Sequence, residues 1–248
     1  MGNVSEGQLD WSERRLPLRE LAPPEAGAVD LWLLDLAALG SPLQPDEPVD
    51  PERFPVRQRR TLRRFYLRLL LGAYLGLPGK DVHVSRVSRG KPVLDERRHP
   101  DHGLAFSLAA SQGHCLVGVT VDADIGVDLE PVGRRAGRPL ALARRYFSPA
   151  ETEALAALEG AALDRAFLRT WACKEAVVKA GGTGIANALC RFSVEARPGE
   201  APSVLAMEDD DPAAWRLATF AVPGDLLGAV TVRSPQLRLA GYRLAPPT

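Results

Sequence analysis

The chain has 248 residues, 46% of them hydrophobic and 25% charged, which is enough to bury one large core or two modest ones. Its formal charge is zero, so bulk electrostatics give no reason to expect nucleic acid or an anionic membrane as a partner, and any basic site must be local. Three cysteines, Cys115, Cys173 and Cys190, have neither the spacing of a zinc site nor the density of a disulfide framework, which points to a reducing compartment.

Residues 1 to about 28 are polar and contain prolines. The first residues lack the basic start and apolar run of a signal peptide, and no apolar stretch nears the ~18 residues needed to span a bilayer, so the chain is expected to be cytoplasmic. Val29–Leu36 reads as a first strand and Gly40–Pro55 as a loop with five prolines. From Val56 to Leu75 the apolar residues Leu62, Phe65, Tyr66, Leu69 and Ala73 recur at helical spacing, while Arg60, Arg64 and Arg68 fall on another face as a basic ridge. That ridge is either a solvated face or part of a site.

Val82–Val87 alternates like a strand, a turn carries Gly90-Lys91-Pro92, and Leu104–Val121 supplies two strands broken near Ser111-Gln112-Gly113. Ile125–Glu130 is a further strand. Helices are expected near Leu140–Tyr146, Pro149–Leu158 and Leu163–Ala180, then strands near Arg191–Ala196, Trp215–Val222, Leu226–Val232 and Leu237–Leu244. Both halves mix helix with antiparallel-type alternation, so the expected fold is α+β with two similar lobes in one chain, residues 1–125 and 126–248. Sequence repetition between the halves is too faint to establish duplication.

Basic charge is carried almost wholly by arginine; the only lysines are Lys80, Lys91, Lys174 and Lys179. Lysine is a compact, mobile charge suited to phosphate oxygens, and it does not exchange freely with the planar arginine fork. In Ile125-Gly126-Val127-Asp128-Leu129-Glu130 the two-residue period puts the apolar residues on one face and Gly126, Asp128 and Glu130 on the other. The two carboxylates then stand roughly 6 to 7 Å apart, near enough to share a cation; an acidic solvent face is the other reading. Around Lys174 the residues Phe167, Leu168, Trp171 and Val178 form a helical stripe with Glu175 inside it and Lys174 and Lys179 at its edges. A carboxylate among apolar residues is costly unless it is paired or binds metal. Gly181-Gly182-Thr183-Gly184 follows this helix and fits neither the Walker phosphate loop nor the dinucleotide fingerprint. No nucleophile elbow or zinc-protease motif is present.

The ordered motifs G-K-P, F-S-L-A-A-S, G-V-D-L-E and W-A-C-K-E-A-V-V-K-A-G-G-T-G resemble those of the surfactin-type (Sfp-type) 4′-phosphopantetheinyl transferases, in register from about residue 53 to 185. The resemblance implies two similar α+β lobes with the active site between them. It implies transfer of the 4′-phosphopantetheine arm of coenzyme A to a serine of an acyl or peptidyl carrier protein in polyketide, nonribosomal peptide or fatty acid synthesis. The implied cofactor is magnesium, the by-product adenosine 3′,5′-bisphosphate, and the state monomeric.

By the same resemblance Asp128, Glu130 and Glu175 hold the ion, Lys174 and Lys179 face the pyrophosphate, and Arg64, Lys91 and Glu151 lie at the nucleotide side or near the site. Glu175, or a water held by it, is expected to take the serine proton. One departure stands out: where the family carries F-N-x-S-H-S, this chain has Phe106-Ser107-Leu108-Ala109-Ala110-Ser111, so the Ser-His pair that meets the 3′-phosphate of coenzyme A is replaced by alanines. Compensation by His114 or an arginine, tolerance of the loss, and a repurposed protein are the three explanations. A repurposed protein would dock a carrier and cyclise or release its acyl thioester, with Cys115 and Cys173 as thiols to test.

Overall fold

The structure is a computed structural model and describes residues 7–41, 54–87, 90–182, 189–208 and 210–247. Most of the proline loop, and Thr183 and Gly184, lie outside the described residues. In chain order the elements are β1 Trp11–Arg15, β2 Ala28–Asp35, α1 Leu36–Leu39, α2 Val56–Leu75, β3 Val84–Arg86, β4 Pro92–Leu94, β5 Leu104–Ser111, β6 His114–Val121 and β7 Ile125–Pro131. They continue with α3 Pro139–Tyr146, α4 Pro149–Ala156, α5 Gly160–Gly181, β8 Phe192–Glu195, β9 Ser203–Met207, β10 Trp215–Val222, β11 Leu226–Arg233 and β12 Arg238–Ala245.

Two sheets face each other. The first has the order β1-β12-β2-β6-β5 and the second β10-β11-β7. Alternation along β2 sends Val29, Leu31 and Leu33 into a core shared with Ile125, Val127 and Leu129 of β7 and with Phe220, Val222 and Val230 of the second sheet. The opposite face of β2, with Trp32 and Leu34, packs under α2 against Leu62, Tyr66, Leu70 and Tyr74. Helix α5 covers the outer face of the second sheet, where Leu168, Ala172 and Ala176 meet Leu227 and Ala229. The layers therefore run α2, first sheet, second sheet, α5, an α+β arrangement in which each sheet is closed by one long helix.

The halves share a connectivity that their sequences do not display. β2-β6-β5 and β7-β11-β10 are both antiparallel triplets in which the first strand pairs with the last. In each half a long helix and a two-stranded hairpin, β3-β4 or β8-β9, intervene before the last two strands. β12 belongs to the second half of the chain as divided at residue 125, yet it lies between β1 and β2, parallel to both. Backbone pairing, and not sequence position, assigns it to the first sheet.

Helix α2 has the expected bounds, but its buried face is rotated. Phe65 is exposed and Leu69 and Ala73 are only half-buried, while Leu67, Leu70, Leu71 and Tyr74 are inside. The inward turn lets both tyrosines satisfy their hydroxyls: Tyr66 donates to Leu39 O or Gly40 O, and Tyr74 donates to Asp30 Oδ2 at 2.6 Å while accepting from Trp32 Nε1. Arg60 and Arg64 remain exposed and Arg68 half-buried. Among the described residues no helix is long and apolar enough to cross a membrane.

Candidate active site

Gly126 decides where α5 lies. A Cβ at this position would sit 1.9 Å from Ala176 O and 2.5 Å from Ala180 N, so only glycine allows the helix backbone to rest on β7. The residue two further along the strand, Asp128, then points at the helix, and the helical period places Glu175 and Lys179, four residues apart, above the strand. Lys179 Nζ donates to Asp128 Oδ1 at 2.5 Å. Asp128, Glu130 and Glu175 are all buried, at 6%, 8% and 6% exposure.

These carboxylates are not equivalent. Asp128 Oδ2 is buried with no hydrogen-bond partner. Burial, reinforced by the neighbouring Asp128 and Glu130 charges and opposed by Lys179, pushes the Glu175 carboxyl up to about 7. Glu130 is also raised by burial, against the hydrogen bond from Arg134, whose Nη1 donates to both of its oxygens at 2.7 and 2.6 Å. A cluster of buried, mutually repelling carboxylates with one orphaned oxygen and a neutral-range acid has the donor chemistry of a hard divalent cation site. Among the described residues no three such groups are gathered about a single point, because Asp128 is turned to Lys179 and Glu130 to Arg134. The residues fit the ion in chemistry, with two internal cations standing in for its charge.

The structure pairs Lys174 with Glu151, apart from Asp128 and Lys179. Lys174 is fully buried, and its Nζ donates to Glu151 Oε1 and Oε2 at 2.8 and 2.7 Å and to Phe192 O at 2.7 Å, over the rings of Phe192 and Phe147. Glu151 also accepts from Ser148 N in a capping box at the start of α4 and from Val194 N of β8. One residue of helix is about 100° of turn, so when Glu175 faces β7 its neighbour Lys174 must face α4 and β8. The pair is a buried cross-link, and burial depresses the Lys174 ammonium against the pull of Glu151.

Lys91 donates to Ile125 O at 3.0 Å and Ala180 O at 2.9 Å, tying the start of β7 to the last turn of α5; burial lowers its affinity for the proton, opposed by Asp124. A cation there complements the negative end of the helix dipole. Among the described residues no contact joins Arg64 to the carboxylates. Ser107 Oγ accepts from Val127 N at 3.1 Å and links the two sheets beside the site. Sequence reasoning missed both this serine and Arg134; the only trace of Arg134 was its place four residues after Glu130.

The departure at Ala109-Ala110 has a definite geometry. Ala109 is buried in the core between the sheets, while Ala110 is exposed and pairs across the hairpin with Cys115. His114 pairs with Ser111, which puts its ring on the Ala109 side and away from Ala110. Its Nδ1 is buried without a partner, and Nε2 is 3.8 Å from Asp35 Oδ2. His114 therefore does not replace an imidazole at position 110. Cys115 and Cys173 are fully buried, and burial pushes both thiols up to about 12, so neither supplies a thiolate at neutral pH.

Comparison with known proteins places the chain in a family. The family model of the 4′-phosphopantetheinyl transferase superfamily matches residues 124–231, the span that carries Asp128, Glu130, Glu175 and Lys179. The 4′-phosphopantetheinyl transferase HetI of Nostoc sp. is 38% identical over 203 residues, 81% of this chain and 81% of the relative. The chain belongs to the 4′-phosphopantetheinyl transferase superfamily and is an enzyme of that class. The 4′-phosphopantetheinyl transferase psf-1 of Bacillus pumilus is 30% identical over 186 residues, 74% of this chain and 75% of the relative. A crystal structure of a holo-(acyl-carrier-protein) synthase from Bacillus anthracis in complex with CoA (3′,5′-ADP) aligns at a TM-score of 0.36 and 21% identity, covering 44% of this chain and 93% of the other.

Proposed function

We propose that this enzyme transfers the 4′-phosphopantetheine arm of coenzyme A to a serine of an acyl or peptidyl carrier protein, releasing adenosine 3′,5′-bisphosphate, with a divalent cation of the magnesium type. The observation that carries the reading is the set of buried Asp128 and Glu175 with the half-buried Lys179, an orphaned Asp128 oxygen and a Glu175 carboxyl near 7.

Attack of a serine hydroxyl on the β-phosphorus requires loss of a proton and stabilisation of charge on phosphoryl oxygens. Glu175, ionised about half the time near pH 7, is poised to accept that proton. Lys179, partly exposed and held by Asp128, offers its ammonium to the charge that develops on the departing 5′-phosphate of adenosine 3′,5′-bisphosphate. Asp128, Glu130 and Glu175 are the residues that would hold the cation, which when bound supplies Lewis-acid polarisation of a phosphoryl oxygen and neutralises developing charge.

Lys91 and Arg64 are read as the nucleotide side of a cleft between two lobes that divide near residue 125, with β12 assigned to the first, and the protein as a monomer. Lys174 and Glu151 enter only as the brace that fixes the rotation of α5. Intact-protein mass spectrometry of apo carrier proteins incubated with the enzyme, Mg²⁺ and coenzyme A tests the reading. A gain of about 340 Da on one serine is expected, lost with Asp128→Asn. Carriers that bind the enzyme and gain no mass would overturn it.

A further inference from the structure

Arg134 belongs to none of the sequence motifs, yet it holds one of the three site carboxylates. It sits three residues beyond β7 in an exposed turn closed by Arg134 N donating to Pro131 O at 2.9 Å. Its side chain is 54% exposed, while that of Glu130 is 10% exposed. An accessible, turn-borne guanidinium thus reaches back to a buried carboxylate and occupies both of its oxygens. Lys179 differs: it is anchored on α5, contacts Asp128 through Oδ1 alone, and leaves Oδ2 without a partner. The carboxylate set is therefore open at Asp128 and closed at Glu130.

A desolvated carboxylate requires a counter-charge, and a hard cation would use the same lone pairs that Arg134 Nη1 occupies. We propose that Arg134 is a displaceable internal counter-ion: it covers Glu130 in the metal-free enzyme and is exchanged for the divalent cation when that carboxylate becomes a ligand. The inference rests on the reading of Asp128, Glu130 and Glu175 as metal-binding groups. Its geometry suits exchange, because the more exposed, turn-borne partner is the one that blocks both oxygens, and the helix-anchored Lys179 leaves an Asp128 oxygen available.

Titration calorimetry of Mg²⁺ into the full chain without coenzyme A separates the possibilities. Arg134→Gln is expected to tighten Mg²⁺ binding roughly three- to tenfold, the scale of a partly exposed ion pair. Arg135→Gln removes the same charge one residue away and is expected to stay within about twofold of the parent. In a parallel ¹⁵N experiment on arginine side chains, the Arg134 Nε–Hε signal should move on Mg²⁺ addition and that of Arg135 should not. Unchanged affinity in Arg134→Gln, or equal tightening in Arg135→Gln, overturns the exchange and leaves the metal site standing. If Glu175→Gln binds Mg²⁺ as tightly as the parent, or no variant binds it, the metal reading itself fails and the exchange fails with it.

Discussion

Replacing Glu175 by glutamine should stabilise the metal-free protein at alkaline pH, and by more as pH rises. The carboxyl titrates near 4.5 when unfolded and near 7 in the fold, mainly because burial disfavours the charged form. The folded state therefore binds the extra proton between these values, and stability falls as pH climbs through that window. From the two values, ionised Glu175 costs about 1 kcal/mol at pH 5.5 and about 3 kcal/mol at pH 8.5, so the cost grows by about 2 kcal/mol between them.

Glutamine keeps the shape and carries no charge, so its advantage over the parent should widen by the same amount. For a chain of this size that is roughly 4–8 °C in Tm. Differential scanning calorimetry in chelator, parent against Glu175→Gln at both pH values, reads it directly. Added Mg²⁺ at pH 8.5 should then stabilise the parent more than the variant, because binding to the native state adds to stability in proportion to occupancy. A pH-independent difference in Tm, or a variant less stable than the parent at pH 8.5, would refute the burial argument for this carboxylate.

Gly126→Ala forces a Cβ against Ala176 O and Ala180 N and should cost about 3 kcal/mol or more. Activity should drop beyond what lost stability explains, as denaturant melts and steady-state rates on the folded fraction would reveal. Lys174→Met strands Glu151 in the interior and should cost about 3–5 kcal/mol, while the double change Lys174→Met with Glu151→Gln should recover part of it; a double variant as damaged as the single one would contradict the cross-link role. Ala110→His enters an exposed position and should leave Tm within about 1 °C while raising the rate with coenzyme A relative to its 3′-dephospho form. An unchanged ratio would show that position 110 lies away from the 3′-phosphate. Ala109→Ser, in contrast, buries a hydroxyl in the core between the sheets and should destabilise by about 1–3 kcal/mol.

Much of the fold was legible where a single period dominates. The strand over Ile125–Glu130 and its division into an apolar and an acidic face follow from alternation alone, and the structure reproduces both. Helix α2 was legible in extent but not in rotation, because two apolar stripes overlap on it and the tyrosine hydroxyl partners that choose between them lie on β2 and α1. β1 was not legible: Trp-Ser-Glu-Arg-Arg is almost wholly exposed and becomes a strand only through its parallel pairing with β12. Nor was the shared connectivity of the two halves, since pairing order is a property of the backbone that different side chains can satisfy. At the site, the wheel correctly put Glu175 on an inward face. It placed Lys174 and Lys179 symmetrically about that face, and only the positions of α4 and β8 make their surroundings unlike.

That asymmetry explains how one helical segment performs two tasks. Lys174, Glu175 and Lys179 occupy directions fixed by the helical period, so rotating α5 to serve one of them moves all three. The buried Lys174–Glu151 pair contributes little net stability by itself, since desolvation offsets most of its attraction, but breaking it is expensive. A contact of that kind suits the setting of an angle, because alternatives that leave Glu151 or Lys174 unpaired are penalised steeply while the paired state gains little. With the rotation fixed by the pair and the approach fixed by Gly126, Glu175 and Lys179 are delivered over Asp128 without relying on contacts of their own. The carboxylates can then remain incompletely satisfied, as the orphaned Asp128 oxygen and the raised Glu175 pKa show, and that unspent capacity is what a cation and a phosphoryl group would use.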